Sequence, residues 1–158
     1  MHDEVTVHMA APAERVWELV SDIRNTGRFS PETVDAQWLG GATGPAVGVR
    51  FRGKVVRNGR GPTYWSECRI TACEPGSEFG FVVLVAGRPI NHWHYRFTPA
   101  AAPDGTDGTD VTESFRLEPS AGTRLYWALL GWARGRTNRE GMRTTLERIR
   151  AVVEDPAV

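Results

Sequence analysis

The sequence has no net charge, no long apolar run and no cysteine pair suited to a disulfide. Nineteen basic residues balance nineteen acidic ones, so the overall field favours neither nucleic acid nor an acidic membrane as a partner. The longest apolar runs, 81–86 and 125–133, are too short for a transmembrane segment, and the N-terminal residues lack the apolar core of a signal peptide. Cys68 and Cys73 would face opposite sides of one strand, which disfavours a disulfide and fits a reducing cytoplasm.

The usual residue patterns of phosphate, calcium and zinc sites are also missing. The glycine-rich stretch 40–45 lacks the Lys-Ser/Thr pair of a phosphate-binding loop, and no helix is predicted after it. The loop 100–110 lacks the alternating carboxylates of a calcium loop. His92 and His94 share the outer face of one predicted strand, but no Cys, Asp or Glu accompanies them at ligand spacing, which favours solvated histidines over a metal pair. The sequence therefore predicts no metal ion and no cofactor.

What the sequence does contain is a succession of alternating apolar and polar residues, typical of β-strands. The predicted strands cover residues 4–9, 33–39, 49–56, 64–72, 79–85, 91–99 and 109–117. A short amphipathic helix follows the first strand, a second helical turn lies near 28–31, and a long helix, or two nearly continuous ones, covers 122–154. This order predicts an α+β fold in one domain over residues 1–158, with the long helix covering the apolar face of an antiparallel sheet.

The long helix has an uneven apolar stripe. Its C-terminal half carries bulky residues at helical spacing, Met142, Leu146, Ile149 and Val153. The same stripe continues towards the N terminus through small or polar residues, Asn138, Gly135, Gly131 and Ala128. The missing bulk predicts either a close approach of helix and sheet or a cavity between them. The alternative is that large neighbours such as Trp93 or Trp132 fill the space, because protein interiors are well packed.

The parity of the strands predicts which side chains face the helix. In the third strand, Arg50, Arg52 and Lys54 alternate with apolar residues and predict a solvated outer face, with an anionic partner as the alternative. The even-numbered face of strand 64–72 and the aromatic face of strand 91–99 point inward. Together with the small residues of the helix, the predicted cavity lining is Tyr64, Ser66, Cys68, Phe81, Trp93, Tyr95, Glu113, Phe115, Ala128, Gly131, Trp132 and Gly135.

Parity also places Glu113 on the apolar face of the last strand. An unpaired carboxylate in a dry core costs several kcal/mol, which leaves three arrangements. Glu113 is protonated with a raised pKa, it accepts hydrogen bonds from Tyr95, Tyr64 or cavity water, or a bulge turns it outward. The first two make Glu113 a candidate acid–base group, with Tyr95 and Tyr64 as the other available groups and Ser66 and Cys68 as weaker candidates.

Several segments, in order over nearly the whole chain, resemble one known superfamily. They are VTVHMAAPAERVWELVSDI (5–23), RFSPE (28–32), HWHYRFTP (92–99), DVTES (110–114) and GMRTTLERI (141–149). They are similar to the START-like helix-grip superfamily (SRPBCC), and most similar to its bacterial polyketide cyclase/dehydrase and lipid-transport-like group. The resemblance implies a curved seven-stranded antiparallel sheet around a long C-terminal helix, two short helices after the first strand, and a cavity for lipids, sterols or polyketides. The motifs are structural, so no catalytic set carries over.

Three functions remain open at this point. The first is binding of a hydrophobic small molecule in the predicted cavity. The second is a cyclase or dehydratase acting on an aromatic polyketide-like substrate, with Glu113 as the acid or base and Tyr95 beside it. The third is a module for a protein or membrane surface, or a homodimer, if Tyr126, Trp127 and Leu130 form an exposed apolar patch rather than packing against the N-terminal helices.

Overall fold

The computed structural model describes residues 2–56, 61–118 and 121–155, with the side chains of the C-terminal helix described from residue 138 onward. Its strands are β1 (His2–Met9), β2 (Thr33–Trp38), β3 (Arg50–Val56), β4 (Thr63–Glu74), β5 (Glu78–Val85), β6 (Arg88–Pro99) and β7 (Thr109–Leu117). Its helices are α1 (Ala13–Ser21), α2 (Thr26–Phe29) and α3 (Ala121–Glu154), with a single 3-10 turn (Ile23–Asn25) between α1 and α2. No helix within these ranges is long and apolar enough to cross a membrane.

The strands form one antiparallel sheet in the order β1-β7-β6-β5-β4-β3-β2. Strands β2 to β7 follow one another as a meander, and β1 pairs with β7 at the far edge. The segment that contains α1 and α2 therefore carries the chain from one edge of the sheet to the other. This arrangement confirms the predicted α+β fold, in which a seven-stranded antiparallel sheet is combined with a long C-terminal helix.

Two strands are longer than predicted. β4 and β6 contain 12 residues each, whereas the alternation pattern predicted only 64–72 and 91–99. The prediction began β6 after Pro89, because proline is disfavoured inside a strand. In the structure Pro89 pairs with Leu84 next to the β5–β6 turn, where a proline is tolerated. The other strand boundaries agree with the prediction to within two residues.

α1 packs against the sheet with one face. Ala13, Val16 and Val20 are buried, as their helical spacing predicts. The indole nitrogen of Trp17 donates a hydrogen bond of 2.9 Å to the carbonyl oxygen of Glu78, the first residue of β5. These contacts hold α1 against the sheet.

The described half of α3 is attached to the β1 region. Its apolar stripe is buried as the spacing predicted, at Met142, Leu146, Ile149 and Val153. The Arg139 guanidinium donates a hydrogen bond of 2.8 Å to the Asp3 carboxylate in β1. At the other end, the Glu154 carboxylate accepts a hydrogen bond of 2.8 Å from the backbone N–H of Ala10. α3 is one continuous helix, which decides between the two predicted alternatives.

Candidate ligand-binding site

A cavity of about 470 Å³ lies between the inner face of the sheet and α3. This volume is within the usual range of small-molecule sites, about 300–1,000 Å³. Its described walls come from β2 to β7, from the segment that contains α1 and α2, and from α3. The predicted lining residues that do line this cavity are Tyr64, Ser66, Cys68, Phe81, Trp93, Tyr95, Glu113 and Phe115.

The remaining predicted residues belong to the first half of α3, whose side chains are outside the described part of the protein. The predicted lining residues there are Ala128, Gly131, Trp132 and Gly135. The predicted apolar patch, formed by Tyr126, Trp127 and Leu130, lies in the same half. The contribution of these residues to a cavity or to an interaction surface stays a prediction.

Paired aromatic rings form two rigid parts of the cavity wall. Trp93 of β6 and Phe115 of β7 are register partners, and their ring centroids lie 4.8 Å apart. Phe51 of β3 and Phe81 of β5 meet edge to face, with centroids 5.3 Å apart. The pleat of the sheet places all four rings on its inner face, because alternate residues of a strand share a face. Trp93 and Phe115 are on neighbouring strands, whereas Phe51 and Phe81 meet across β4, which lies between their strands. Rigid aromatic surfaces of this kind suit an apolar or aromatic ligand.

Part of the wall comes from residues that sequence analysis did not assign to the cavity. Val20 of α1, Ile23 of the 3-10 turn and Phe29 of α2 are buried and line the cavity. The predicted amphipathic helix implied a buried face, but helical spacing contains no information about what that face contacts. Tyr64 differs from the prediction in another way. It lines the cavity but is 42% exposed, so it lies at the rim rather than inside.

Glu113 is a buried carboxyl group in the cavity wall, only 2% exposed. The Tyr95 hydroxyl donates a hydrogen bond of 2.8 Å to its Oε1 atom, whereas Oε2 has no hydrogen-bond partner among the described residues. Burial raises the pKa of Glu113 to about 8, and the hydrogen bond from Tyr95 offsets only part of that rise. The carboxyl is therefore mainly protonated at neutral pH. Its inward position excludes the alternative in which a bulge turns it outward.

Tyr95 remains a neutral hydroxyl beside this carboxyl. Burial raises the pKa of Tyr95 well above its usual value, and the negative charge of Glu113 and the hydrogen bond to it act in the same direction. A phenol in this state donates a hydrogen bond but does not act as a base at neutral pH. The pair therefore combines one group able to transfer a proton, Glu113, with one group that positions it, Tyr95.

Two asparagines that the sequence analysis did not assign to the cavity lining add polar groups to its wall. Asn91 of β6 and Asn138 of α3 both line the cavity. The Oδ1 atom of Asn91 and the Nδ2 atom of Asn138 are buried, and neither has a hydrogen-bond partner within the described part of the chain. The sequence contained a signal for both, because Asn91 has the same parity as Trp93 and Tyr95, and Asn138 lies on the stripe of α3.

The cysteine thiols are poor nucleophiles in this fold. Cys68 and Cys73 are both free. Burial raises the pKa of Cys68 to about 12 and also raises the pKa of Cys73, so both thiols stay protonated at neutral pH. Cys68 therefore contributes to the cavity wall as a small apolar group, which weakens its candidacy as a reactive residue.

The histidines on the outer face of the sheet are paired with carboxylates. His92 bonds to Glu118, and the Nε2 atom of His94 lies 3.0 Å from the Glu78 carboxylate. The sequence has no acidic residue at ligand spacing near these histidines, and the fold supplies a carboxylate to each from a segment that is distant in the sequence. Over the described ranges, no group of three or more His, Cys, Asp or Glu side chains could hold a metal ion.

The basic residues of β3 point to the same outer face, as predicted. Arg50 forms an ion pair of 2.9 Å with Glu67. The Arg52 guanidinium lies over the ring of Trp65, 4.5 Å from its centroid. Glu67 and Trp65 therefore supply local partners for these two guanidinium groups on the sheet surface. Arg50 and Arg52 are nevertheless exposed, and an anionic partner for them stays the alternative prediction.

Comparison with known proteins gives a family match over almost the whole chain. The family model described as polyketide cyclase / dehydrase and lipid transport matches residues 2–154. A search of curated protein sequences gives no match. Among solved structures, the chain is similar to the di-domain ARO/CYC BexL from the BE-7585A biosynthetic pathway, with 18% identity and a TM-score of 0.73. That alignment covers 98% of this chain and 48% of the other, so the chain spans about half the length of the di-domain protein.

Two further structures align over most of both chains. A START superfamily protein from Mycobacterium smegmatis has 16% identity and a TM-score of 0.70, with 97% of each chain covered. A Polyketide_cyc-like protein from Corynebacterium glutamicum has 27% identity and a TM-score of 0.57, covering 97% of this chain and 88% of the other. These likenesses establish the helix-grip fold.

Proposed function

Because the chain belongs to the polyketide cyclase/dehydrase and lipid transport family, we propose that it binds a hydrophobic small molecule in the cavity between the sheet and α3. The observation that carries this proposal is an apolar wall interrupted by a few inward polar atoms. Trp93, Phe115 and Phe81 supply rigid apolar contact area, and Glu113 presents an unpartnered carboxyl oxygen within the described wall. An apolar lining with a small number of placed polar groups is typical of small-molecule sites.

Gly141 allows a direct test of this function. It lines the cavity from α3, and a Cβ atom built there meets no described atom within 4 Å. Gly141→Leu would therefore fill part of the cavity, whereas Gly141→Ala would leave most of it open. We expect calorimetric titration with anthraquinone, a planar apolar probe, to show saturable binding by the native protein and by Gly141→Ala, and much weaker binding by Gly141→Leu.

The alanine variant is the matched control for loss of the glycine. Replacing a helix glycine by alanine stabilises the helix by about 1 kcal/mol, so thermal unfolding should show both variants folded. Equal probe affinity in all three proteins would mean that the probe binds elsewhere and would contradict the proposal. Absence of saturable binding by the native protein would also contradict it for this class of ligand.

A second candidate function, a cyclase/dehydratase activity, is favoured by the pKa of Glu113. A carboxyl with a pKa of about 8 is well matched to proton transfer near neutral pH. In a dehydration, the Glu113 proton would pass to the β-hydroxyl of a bound ketone as its carbon–oxygen bond breaks and water leaves. The carboxylate would take the proton from the neighbouring carbon, and the electrons of that C–H bond would form the new double bond.

Turnover distinguishes the two functions. Incubation of the native protein with a fused-ring β-hydroxy ketone should yield the unsaturated ketone and water if the protein is an enzyme. Glu113→Gln should then bind the ketone but form no product, because a carboxamide neither gives up nor accepts a proton near neutral pH. Saturable binding of the ketone with no product from the native protein would leave binding as the function and reject the proposed dehydration.

A further inference from the structure

The unpartnered polar atoms of the described core are concentrated at the cavity. Five buried side-chain nitrogen or oxygen atoms lack a hydrogen-bond partner within the described ranges, and three of them belong to cavity residues: Asn91 Oδ1, Glu113 Oε2 and Asn138 Nδ2. Such atoms are uncommon in folded proteins because leaving them unpaired costs free energy. Three in one cavity, contributed by β6, β7 and α3, indicate that the cavity contents supply their partners.

The sheet sets the spacing of two of these atoms. Asn91 and Tyr95 are four residues apart on the same face of β6, roughly 13 Å along the strand. Glu113 is the register partner of Tyr95, so the carboxyl and the Asn91 amide lie at opposite ends of this stretch. The paired rings of Trp93 and Phe115 lie between them. A ligand that reaches both ends must therefore cross an aromatic surface.

The third atom approaches this surface from the helix. Arg139, the residue after Asn138, is bound to Asp3 of β1, and Asp3 is the register partner of Phe115. Asn138 is therefore held near the level of the aromatic pair, on the opposite side of the cavity. Its Nδ2 atom is a hydrogen-bond donor, so it complements an oxygen acceptor on a ligand that lies on Trp93 and Phe115.

We propose that Asn91 and Asn138 determine ligand specificity, and that with Glu113 they select a rigid fused-ring compound with a hydroxyl at each end and a carbonyl between them. Asn91 Oδ1 accepts from one hydroxyl, Asn138 Nδ2 donates to the central carbonyl, and the other hydroxyl meets Glu113. The polar ends of such a ligand lie on the order of 10 Å apart. The inference rests on the proposed binding function.

An acyl chain fits the same cavity less well. It has one polar end, so it would satisfy one of the three positions and leave the others buried without partners, which costs free energy. Its flexible chain would also lose more conformational freedom on the aromatic wall than a rigid ring system would. The cavity is therefore expected to prefer an oxygenated ring system over a fatty acid of similar size.

Three probes and two substitutions test this inference. Anthraflavic acid is an anthraquinone with one hydroxyl at each end, anthraquinone lacks both hydroxyls, and oleate is an acyl chain. We expect the native protein to bind anthraflavic acid at least tenfold more tightly than anthraquinone or oleate. Asn91→Leu, which keeps the side-chain volume and removes the amide, should weaken anthraflavic acid binding about fivefold to tenfold and leave anthraquinone binding unchanged. Asn138→Leu should weaken binding of both quinones, because both carry the central carbonyl.

The stability of the ligand-free variants separates recognition from a structural role. If Asn91 and Asn138 serve the ligand, their leucine variants should unfold at the same temperature as the native protein or higher, because an unpartnered polar atom has been removed. If a leucine variant does not fold, Asn91→Ala and Asn138→Ala are measured in the same way. If the variants bind all three probes with equally reduced affinity and unfold at a lower temperature than the native protein, the asparagines only support the fold.

Two further outcomes separate this inference from the proposed function. If the native protein binds anthraquinone and anthraflavic acid equally, and Asn91→Leu changes neither, the cavity binds apolar molecules and the specificity inference is rejected. If the native protein binds none of the three probes, while Gly141→Leu is folded and equally inert, the binding function itself is rejected, and this inference with it.

Discussion

Replacing Glu113 by glutamine isolates the titration of the buried carboxyl, because glutamine resembles protonated glutamate in shape. The amide oxygen can still accept the hydrogen bond that the Tyr95 hydroxyl now donates to Oε1. The amide cannot ionise at any pH used for folding experiments. The substitution therefore removes one ionisation and leaves the surrounding contacts nearly unchanged.

The size of the effect follows from the pKa difference between the two states. The pKa of Glu113 is about 8 in the folded protein, against an ordinary value of 4.5. Below pH 4.5 the carboxyl is protonated in both states, and the folded state has its full stability. As the pH rises towards 8, the unfolded chain ionises while the folded protein keeps its proton, so stability is lost. About 3.5 pH units at about 1.4 kcal/mol each give a total loss of about 5 kcal/mol.

Urea unfolding at pH 5 to 9 measures this loss. We expect the unfolding free energy of the native protein, relative to that of Glu113→Gln, to fall by about 4 kcal/mol between these limits. Every other titrating group is shared by the two proteins and cancels in the difference. Glu74→Gln, at an exposed position at the end of β4, is the matched control for exchanging a glutamate for a glutamine. Parallel curves for native protein and Glu113→Gln would refute the buried, protonated carboxyl.

Three further predictions concern neighbouring groups. Tyr95→Phe removes the hydrogen bond that lowers the pKa of Glu113, so a carbon NMR titration of that carboxyl should show its pKa rising; a fall would contradict the assigned role. Arg139→Ala leaves the buried Asp3 carboxylate without its ion-pair partner, so the unfolding free energy should drop by about 2 kcal/mol and recover when Asp3→Asn is added. An unchanged unfolding free energy would contradict the attachment of α3 to β1 through this pair. Because burial raises the pKa of Cys68 to about 12, its thiol should stay unmodified by iodoacetamide at pH 8 in the folded protein and react once urea is added, as measured by mass spectrometry. Rapid modification of the folded protein would show that the cavity wall around Cys68 opens readily.

Much of the fold was predictable because strand parity and helical spacing are local properties. The alternation in 109–117 placed Glu113 on the inner face, where the structure has it. The spacing of Met142, Leu146 and Ile149 predicted a buried stripe, and all three are buried. In both cases a few consecutive residues are enough to decide the direction of a side chain once the element type is known.

The parts that could not be predicted depend on contacts between distant segments. His94 pairs with Glu78 because β5 and β6 are in a particular register, and no pattern within either strand encodes that register. Parity indicates which face Asn91 shares, but its position relative to Glu113 depends on the register of β6 and β7, which neither strand encodes alone. The cavity wall near Phe29 depends on how the α1–α2 segment crosses the sheet, which helical spacing alone does not determine.

A crystal structure of the protein saturated with anthraquinone tests the central claim most directly. We predict that the ring system lies in the cavity against Trp93 and Phe115, with its carbonyl oxygen within hydrogen-bonding distance of Asn138 Nδ2. Density for the probe on the outer face of the sheet, or an empty cavity in a crystal where the probe is bound elsewhere, would contradict the claim that the space between sheet and helix is a ligand site.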